Sequence, residues 1–154
     1  MKIKDNKGIT ITILVITITV MIIIAGIAVY SGKEIIKEAN LESVKTDMLL
    51  IQAKARGYVE EANFKKGQGE LTEEIKTGSL KGTETQAPSG VTVTGLVYSL
   101  SSDNLKEMGL NNIKDDTYLV VYNVDEVSVD VIIKSGFKYD GKTYYLLSDI
   151  LDIE

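Results

Sequence analysis

The sequence predicts an α+β fold in which a long N-terminal helix, membrane-spanning in its first half, packs on a small antiparallel β-sheet. The 25 residues from Gly8 to Gly32 contain no charged side chain. Apolar residues then recur at helical spacing from Leu41 to Ala62, and after Gly90 the apolar period becomes two. With 154 residues, the chain has the length of one domain.

The composition excludes several kinds of functional site. The chain has no cysteine and no histidine, which excludes a disulfide framework, a Cys/His zinc site and a Cys–His or Ser–His catalytic pair. Residues 33–154 hold 14 basic and 21 acidic side chains, and this acidic balance disfavours nucleic-acid binding. We therefore expect that the protein is not an enzyme and that it binds no cofactor and no metal ion. Calcium binding stays an open alternative for one acidic group: Asp115, Asp116, Asp125, Glu126 and Asp130.

A membrane-spanning helix is predicted at Ile9–Tyr30, within a segment of residues 9–32. As a helix, this run is about 33 Å long, which matches a hydrocarbon core of about 30 Å. Its alternating Ile-Thr start is typical of a strand, but in lipid a single segment satisfies its backbone hydrogen bonds only as a helix. The threonine hydroxyls can donate to carbonyl groups one turn earlier: Thr10, Thr12, Thr17 and Thr19.

Charge predicts the orientation of this helix. Lys2, Lys4 and Lys7 precede the run, so the positive-inside rule places the N-terminus in the cytoplasm and the acidic body outside. Such a head has three possible fates. It is cut as a signal peptide after the small residues Gly26 and Ala28, it stays as a single-pass anchor, or it is a prepilin leader cut on the cytoplasmic side.

The segment Lys7–Ile18, KGITITILVITI, resembles the N-terminal segment of type IV pilins and pseudopilins, in a variant found in pilin-like proteins of Gram-positive bacteria. In that family a short basic leader ends in glycine, a prepilin peptidase cuts after it, and the new N-terminal residue is methylated. The resemblance therefore implies a leader of residues 1–8, cleavage between Gly8 and Ile9, and N-methylation of Ile9. The tail around Asp140-Gly141 also resembles such proteins.

The chain departs from the family at the fifth residue after the cleavage point. Most members have glutamate there, and this chain has Ile13. In the family that glutamate is thought to pair with the N-terminal amine of a neighbouring subunit. Two interpretations stay open, variation between lineages and a minor or tip subunit.

The resemblance implies a structural subunit of a type IV pilus or a type II secretion-like pseudopilus, at the cell membrane and then in a surface filament. Its partners would be the membrane, identical or related pilin subunits, the prepilin peptidase and the assembly machinery. The small residues Ala25, Gly26 and Ala28 would allow close approach of helices during assembly. The alternative is a membrane-anchored or secreted extracytoplasmic binding domain that forms no filament.

Beyond the apolar run, an amphipathic helix is predicted over residues 33–64, continuous with the first. One apolar stripe follows its length: Leu41, Val44, Met48, Ile51, Ala55, Tyr58 and Ala62. Residues 65–90 contain five glycines and the single proline, which predicts an irregular loop and a candidate partner surface, with a helical turn near Leu71–Ile75.

Residues 91–154 are predicted to form an antiparallel meander that the helical stripe covers. The predicted strands are Val91–Leu100, Thr117–Val124, Val127–Ile133 and the two arms of a hairpin, Phe137–Tyr139 and Lys142–Leu147. A short helix through Leu105–Met108, capped by Ser101, Ser102 or Asp103, would follow the first strand. A type I′ turn at Asp140-Gly141 would place Phe137 opposite Tyr144.

Overall fold

The computed structural model describes the backbone of residues 7–153 and the side chains of residues 14–26, 33 and 35–153. The fold is α+β, with one long helix and one small antiparallel sheet. Helix α1 runs from Lys7 to Lys66 without a break, which confirms that the apolar run and the amphipathic segment form one helix. The chain forms two compact units, Met1–Leu41 and Glu42–Glu154.

The sheet is an antiparallel meander, as predicted, and its strands follow in chain order. The strands are β1 (Thr83–Thr85), β2 (Leu96–Ser99), β3 (Tyr118–Asn123), β4 (Ser128–Tyr139) and β5 (Lys142–Leu146). Three short helices lie between or after the strands: α2 (Glu73–Ser79), α3 (Ser102–Glu107) and α4 (Leu147–Leu151).

The part of α1 that belongs to the second unit covers one face of the sheet. Five of its apolar side chains are 0% exposed: Met48, Ile51, Ala55, Val59 and Ala62. Alternate residues of a strand point to the same face, so Val120 and Tyr122 lie on the face that Tyr118 presents to the helix. The Tyr118 hydroxyl donates to the Asp47 carboxylate on α1 at 3.2 Å.

Two side-chain amides fix α1 to the sheet backbone. Gln52 donates to the Val129 carbonyl at 2.8 Å, and Asn63 donates to the Val124 carbonyl at 2.7 Å. These bonds satisfy carbonyl groups at the two ends of the β3–β4 turn. The predicted apolar stripe is largely confirmed, although Val44 and Tyr58 are only half-buried and the fully buried Val59 lay outside it.

The opposite face of the sheet has its own apolar cluster, made by Val97, Leu119, Val121 and Ile132. The segment of residues 86–95 crosses this face and packs Ala87, Val91 and Val93 against the cluster, together with Tyr145 and Leu146 from β5. The sheet is therefore covered on both faces within the second unit.

Four parts of the prediction differ in the structure. The strand predicted at Val127–Ile133 and the hairpin arm predicted at Phe137–Tyr139 form one strand, β4, whose pairing with β5 is irregular between Ile132 and Phe137. The predicted loop at residues 65–90 contains helix α2, longer than the expected turn, and strand β1. The predicted strand at Val91–Leu100 starts only at Leu96, because residues 91–95 belong to the segment that covers the second face. Finally, the chain turns into helix α4 at Leu147, where the sequence predicted the end of a strand.

Two local predictions are confirmed in detail. Ser101 is the N-cap of α3, and it exchanges hydrogen bonds with Asn104 in a capping box. Asp140 and Gly141 both have positive φ, 47° and 77°, as a type I′ turn requires. Phe137 therefore pairs with Tyr144 across the β4–β5 hairpin.

Candidate functional site

The first part of α1 presents an apolar surface in every direction around the helix axis. Nine large side chains are each 46–67% exposed: Leu14, Val15, Ile16, Ile18, Val20, Met21, Ile22, Ile23 and Ile24. Consecutive residues of a helix point in directions about 100° apart, so these side chains leave no polar face on the segment. Monomeric soluble proteins rarely expose contiguous apolar surface of this kind, which marks it as a surface for lipid or for other proteins.

One polar side chain of this segment is satisfied within its own helix. The Thr19 hydroxyl donates to the Val15 carbonyl at 2.8 Å, as predicted for the threonines of this segment. This bond is compatible with an apolar environment, because the hydroxyl needs no water as a partner.

The predicted assembly residues Ala25 and Gly26 are both exposed. A Cβ atom added to Gly26 would meet no atom within 4 Å, so the helix surface is open there. The predicted residues Gly8, Ile9, Ile13 and Ala28 lie in α1, as does Lys7, but the details at these positions lie outside the described residues. Lys2 and Lys4 also lie outside them.

Among the residues that the structure describes, no helix is both long enough and apolar enough to cross a membrane.

No protein-family model, curated protein or solved structure matches this chain.

A second exposed surface, which was not predicted from the sequence, lies on α1 within the unit Glu42–Glu154. Leu50, Ala53, Gly57 and Phe64 lie on the side of α1 opposite to its buried stripe, and we call them the outer face. Leu50 is 45% exposed and Phe64 is 86% exposed. The signal was present in the sequence, because these positions also follow the spacing of a helical stripe.

Gly57 at the centre of the outer face has no steric cause within the described chain. A Cβ atom added there would meet nothing within 4 Å. Glycine inside a helix costs about 1 kcal/mol relative to alanine, so this position lowers the stability of α1 without improving its packing on the sheet.

A groove of about 810 Å³ lies beside the outer face, between α1 and the β3–β4 turn. Its apolar wall includes Leu49, Ala53 and Val127, and Val127 has a positive φ of 50°, which is rare for a β-branched residue. Two of the polar side chains that line the groove have partners within the chain: Gln52 donates to the Val129 carbonyl at 2.8 Å, and Arg56 pairs with Glu60 at 3.2 Å.

The acidic residues considered as calcium ligands take part in separate interactions with other side chains. Asp116 accepts a bond from Lys134 at 2.5 Å, and Asp125 forms an ion pair with Lys66. Glu126 accepts from the Asn123 side chain at 3.0 Å. Among the described residues, no three acidic side chains are arranged to hold a metal ion.

The predicted partner surface at residues 65–90 is held on the body by polar contacts. Lys81 pairs with Glu107 at 2.5 Å and lies 5.7 Å from the centre of the Tyr58 ring. The hydrogen bond to Glu107 raises the pKa of Lys81. The backbone carbonyl of Lys81 also accepts the hydroxyl of the buried Tyr122 at 3.0 Å.

The other shifted pKa values are caused by burial and by contacts within the fold. Burial raises the pKa of Tyr118 and of Tyr122, and both phenols donate hydrogen bonds, to Asp47 and to the Lys81 carbonyl. The hydrogen bond and charge of Lys65 lower the pKa of the exposed Glu61. These interactions lie within the folded body.

Proposed function

We propose that the protein is a pilin-like structural subunit, held in the membrane by its N-terminal helix and then assembled through that helix into a filament or a short pseudopilus. The single observation that supports this most is the exposed, charge-free helical surface of residues 14–26, which belongs to the same helix as the folded body. Such a surface is stable in lipid or against similar helices, and it is costly in water.

Two features of the sequence support the same proposal. The uncharged run Ile9–Tyr30 has the length of a bilayer core, and the segment Lys7–Ile18 resembles the processing segment of pilins. In this proposal Gly8 is the last leader residue, and Ile9 becomes the methylated N-terminus. The acidic body then lies on the outer side of the membrane.

Assembly would transfer the helix from lipid to a bundle of helices. Dispersion forces and close packing drive this step, because lipid tails are as apolar as isoleucine side chains. Ala25 and Gly26 are exposed and small, so they allow neighbouring helices to approach.

The N-terminus of the mature chain tests the proposal. Mass spectrometry of the native membrane fraction should find a chain that begins at methylated Ile9. A chain that begins at Met1 would instead identify a permanent anchor, and one that begins near Val29 would identify a secreted domain. Either of these results would refute the pilin-like function and leave an extracytoplasmic binding domain.

A second experiment tests the helix directly by placing a charge in the apolar surface. Ile16→Lys and Ile23→Lys should each disfavour insertion by about 2.5–3.5 kcal/mol, the usual cost of lysine at the centre of a membrane helix. The matched control is Ile36→Lys, since Ile36 is an isoleucine of the same helix, 62% exposed, outside the uncharged run. Membrane fractionation and filament yield measure the outcome, and normal incorporation of both inner variants would contradict the proposal.

A further inference from the structure

We propose that the tip of the β4–β5 hairpin contacts the surface of an anionic lipid membrane, with its aromatic side chains among the headgroups and its lysines on lipid phosphate groups. The inference rests on the proposed function, because it requires α1 to be inserted in a membrane. It gives the folded body a lipid contact of its own, separate from the contact that the N-terminal helix makes.

The tip of the hairpin extends beyond the rest of the sheet. Strand β3 pairs with β4 only as far as Ile133, whereas β4 and β5 stay paired up to their turn. Leu146 pairs with Ile132, and the four residues of β5 from Lys142 to Leu146 extend about 13 Å beyond that pair. Residues 137–142 are all half-buried or exposed. This part of the hairpin is therefore open to a contact outside the chain.

The hairpin projects from the end of the body at which the chain enters from the membrane helix. Tyr118, at the start of β3, bonds Asp47, whereas Val124, just after β3, bonds Asn63 near the end of α1. Strand β3 therefore runs in the same direction as this part of α1. Strand β4 is antiparallel to β3, so it runs back towards the level of Tyr118 and continues past it. We call the end of the body at Asp47 and Tyr118 the entry end.

The connection between the uncharged run and the body is short. Residues 33–41 separate Gly32, the end of that run, from Glu42, the first residue of the second unit. These nine residues belong to α1, and nine residues of helix span about 14 Å. Insertion of the run therefore keeps the entry end within reach of the lipid headgroups, at any angle between the two units.

The aromatic side chains of the hairpin suit the headgroup region. Phe137 and Tyr139 are alternate residues of β4 and share one face, on which Phe137 pairs with Tyr144 of β5. The rings of Phe137 and Tyr139 are stacked, with their centres 6.3 Å apart. Tyrosine is enriched where a membrane meets water, because its ring is apolar and its hydroxyl is polar. The face therefore matches the composition of a membrane interface.

Charge distinguishes the hairpin from the other connection at the entry end. Lys138 and Lys142 flank the turn and are exposed, and Asp140 is the one acidic residue of the segment 137–146. The β2–β3 connection, residues 100–117, lies at the same end of the sheet and carries two basic and four acidic residues. Lysine is attracted to an anionic membrane surface, and carboxylates are repelled by it. Of the two connections, the hairpin is thus the one that suits anionic lipid.

Tryptophan fluorescence measures the contact, because the chain contains no tryptophan of its own. Full-length Tyr139→Trp is reconstituted in phosphatidylglycerol vesicles, with or without bromine on the acyl chains close to the headgroups. Bromine should reduce its emission at least about twofold, since a tryptophan at the interface lies next to this quencher. Two exposed positions serve as matched reporters, Asn111→Trp in the β2–β3 connection and Phe64→Trp near the end of α1, and both should be quenched far less.

Flotation of the same samples separates the two proposals. A chain that does not float with the vesicles would refute membrane insertion, and the proposed function with it. A chain that floats, but in which Tyr139→Trp is quenched no more than Asn111→Trp, would overturn the hairpin contact alone. Equally strong quenching of all three reporters would also overturn it, because the body would then lie on lipid without preference for the hairpin.

Removal of the lysines tests the role of charge and leaves the aromatic face intact. Quenching of Tyr139→Trp should be stronger in phosphatidylglycerol than in phosphatidylcholine vesicles. Lys138→Gln with Lys142→Gln should remove most of this difference, since each lysine near an anionic surface favours the contact about fivefold. The matched control is Lys106→Gln with Lys114→Gln, the two exposed lysines of the β2–β3 connection, which should keep the difference. An unchanged difference in the hairpin variant would refute the phosphate contacts.

Discussion

Replacement of Ile51 by alanine is a direct test of the way α1 packs on the sheet. Ile51 is 0% exposed, and it lies on the face of α1 that covers the sheet. Ile51→Ala removes three carbon groups, worth about 0.8 kcal/mol each in transfer free energy, and leaves a cavity that adds to the cost. We expect the free energy of unfolding to fall by about 3–4 kcal/mol. The matched control is the preceding residue on the same helix, Leu50, which is 45% exposed. Leu50→Ala should cost less than about 1 kcal/mol, since alanine is also the better helix former.

Urea unfolding of the full chain in detergent measures both variants. Seven of the eight tyrosines follow residue 33, so near-ultraviolet circular dichroism reports on the folded body. The urea midpoint should fall by about 1.5–2 M for Ile51→Ala and by less than about 0.5 M for Leu50→Ala, at typical slopes of unfolding. Equal losses for the two variants would refute the assignment of one buried and one outer face.

Two further predictions concern the sheet. Burial raises the pKa of Tyr122, so the unfolded chain loses this proton first, near pH ~10, and the stability that depends on it is complete below that pH and decreases above it. Tyr122→Phe should lower the free energy of unfolding by about 1 kcal/mol at pH ~7, because the hydrogen bond to the Lys81 carbonyl is lost. The variant should also lose less stability above pH ~10 than the original chain. Urea midpoints measured across this pH range test both effects, and an unchanged alkaline profile would contradict the second. Gly95 has a φ of +137°, and an added Cβ would lie 2.6 Å from the Tyr122 carbonyl oxygen. Gly95→Ala should therefore cost more than about 2 kcal/mol in thermal unfolding, whereas the control Gly78→Ala, at an open helical position, should be neutral or stabilising.

The sequence predicted the elements whose local chemistry agrees with the final fold. The 3.6-residue period identified α1, the capping residues around Ser101 identified α3, and Asp140-Gly141 identified the β4–β5 turn and its register. In each case the residues that determine the structure are neighbours along the chain. Consistency between local preference and tertiary packing makes such elements predictable.

The misassigned elements depend on contacts between distant residues. Val91 and Val93 have the period of a strand, but they pack over the second face of the sheet. The side chains of Leu119 and Ile132 form an apolar surface on that face, which these valines cover. A two-residue period shows that alternate residues are buried, and it does not distinguish pairing in the sheet from packing over it. Strand β1 was missed for the opposite reason, since its three residues are all exposed and polar and leave no apolar signal.

Of the two exposed surfaces of α1, only the N-terminal one was predictable from the sequence. An uncharged run of 25 residues is visible in the sequence without any knowledge of the fold. The outer face of α1 follows the same helical spacing as the buried stripe, so the sequence does not tell which of the two apolar faces packs on the sheet. The structure resolves this by burying Ile51 and leaving Phe64 exposed.

The two exposed surfaces of α1 are therefore separate in chemistry as well as in position. Charged residues between Lys33 and Glu42 interrupt the apolar sequence, so the N-terminal surface ends before the outer face begins. The first surface is apolar all round, which suits lipid or a bundle of similar helices. The second is a narrow stripe on a helix whose opposite face packs on the sheet. A charge at Ile16 should therefore reduce membrane insertion and leave the urea midpoint of the folded body unchanged, whereas Ile51→Ala should lower only the urea midpoint. If Ile16→Lys lowered both, the two parts of α1 would not act independently.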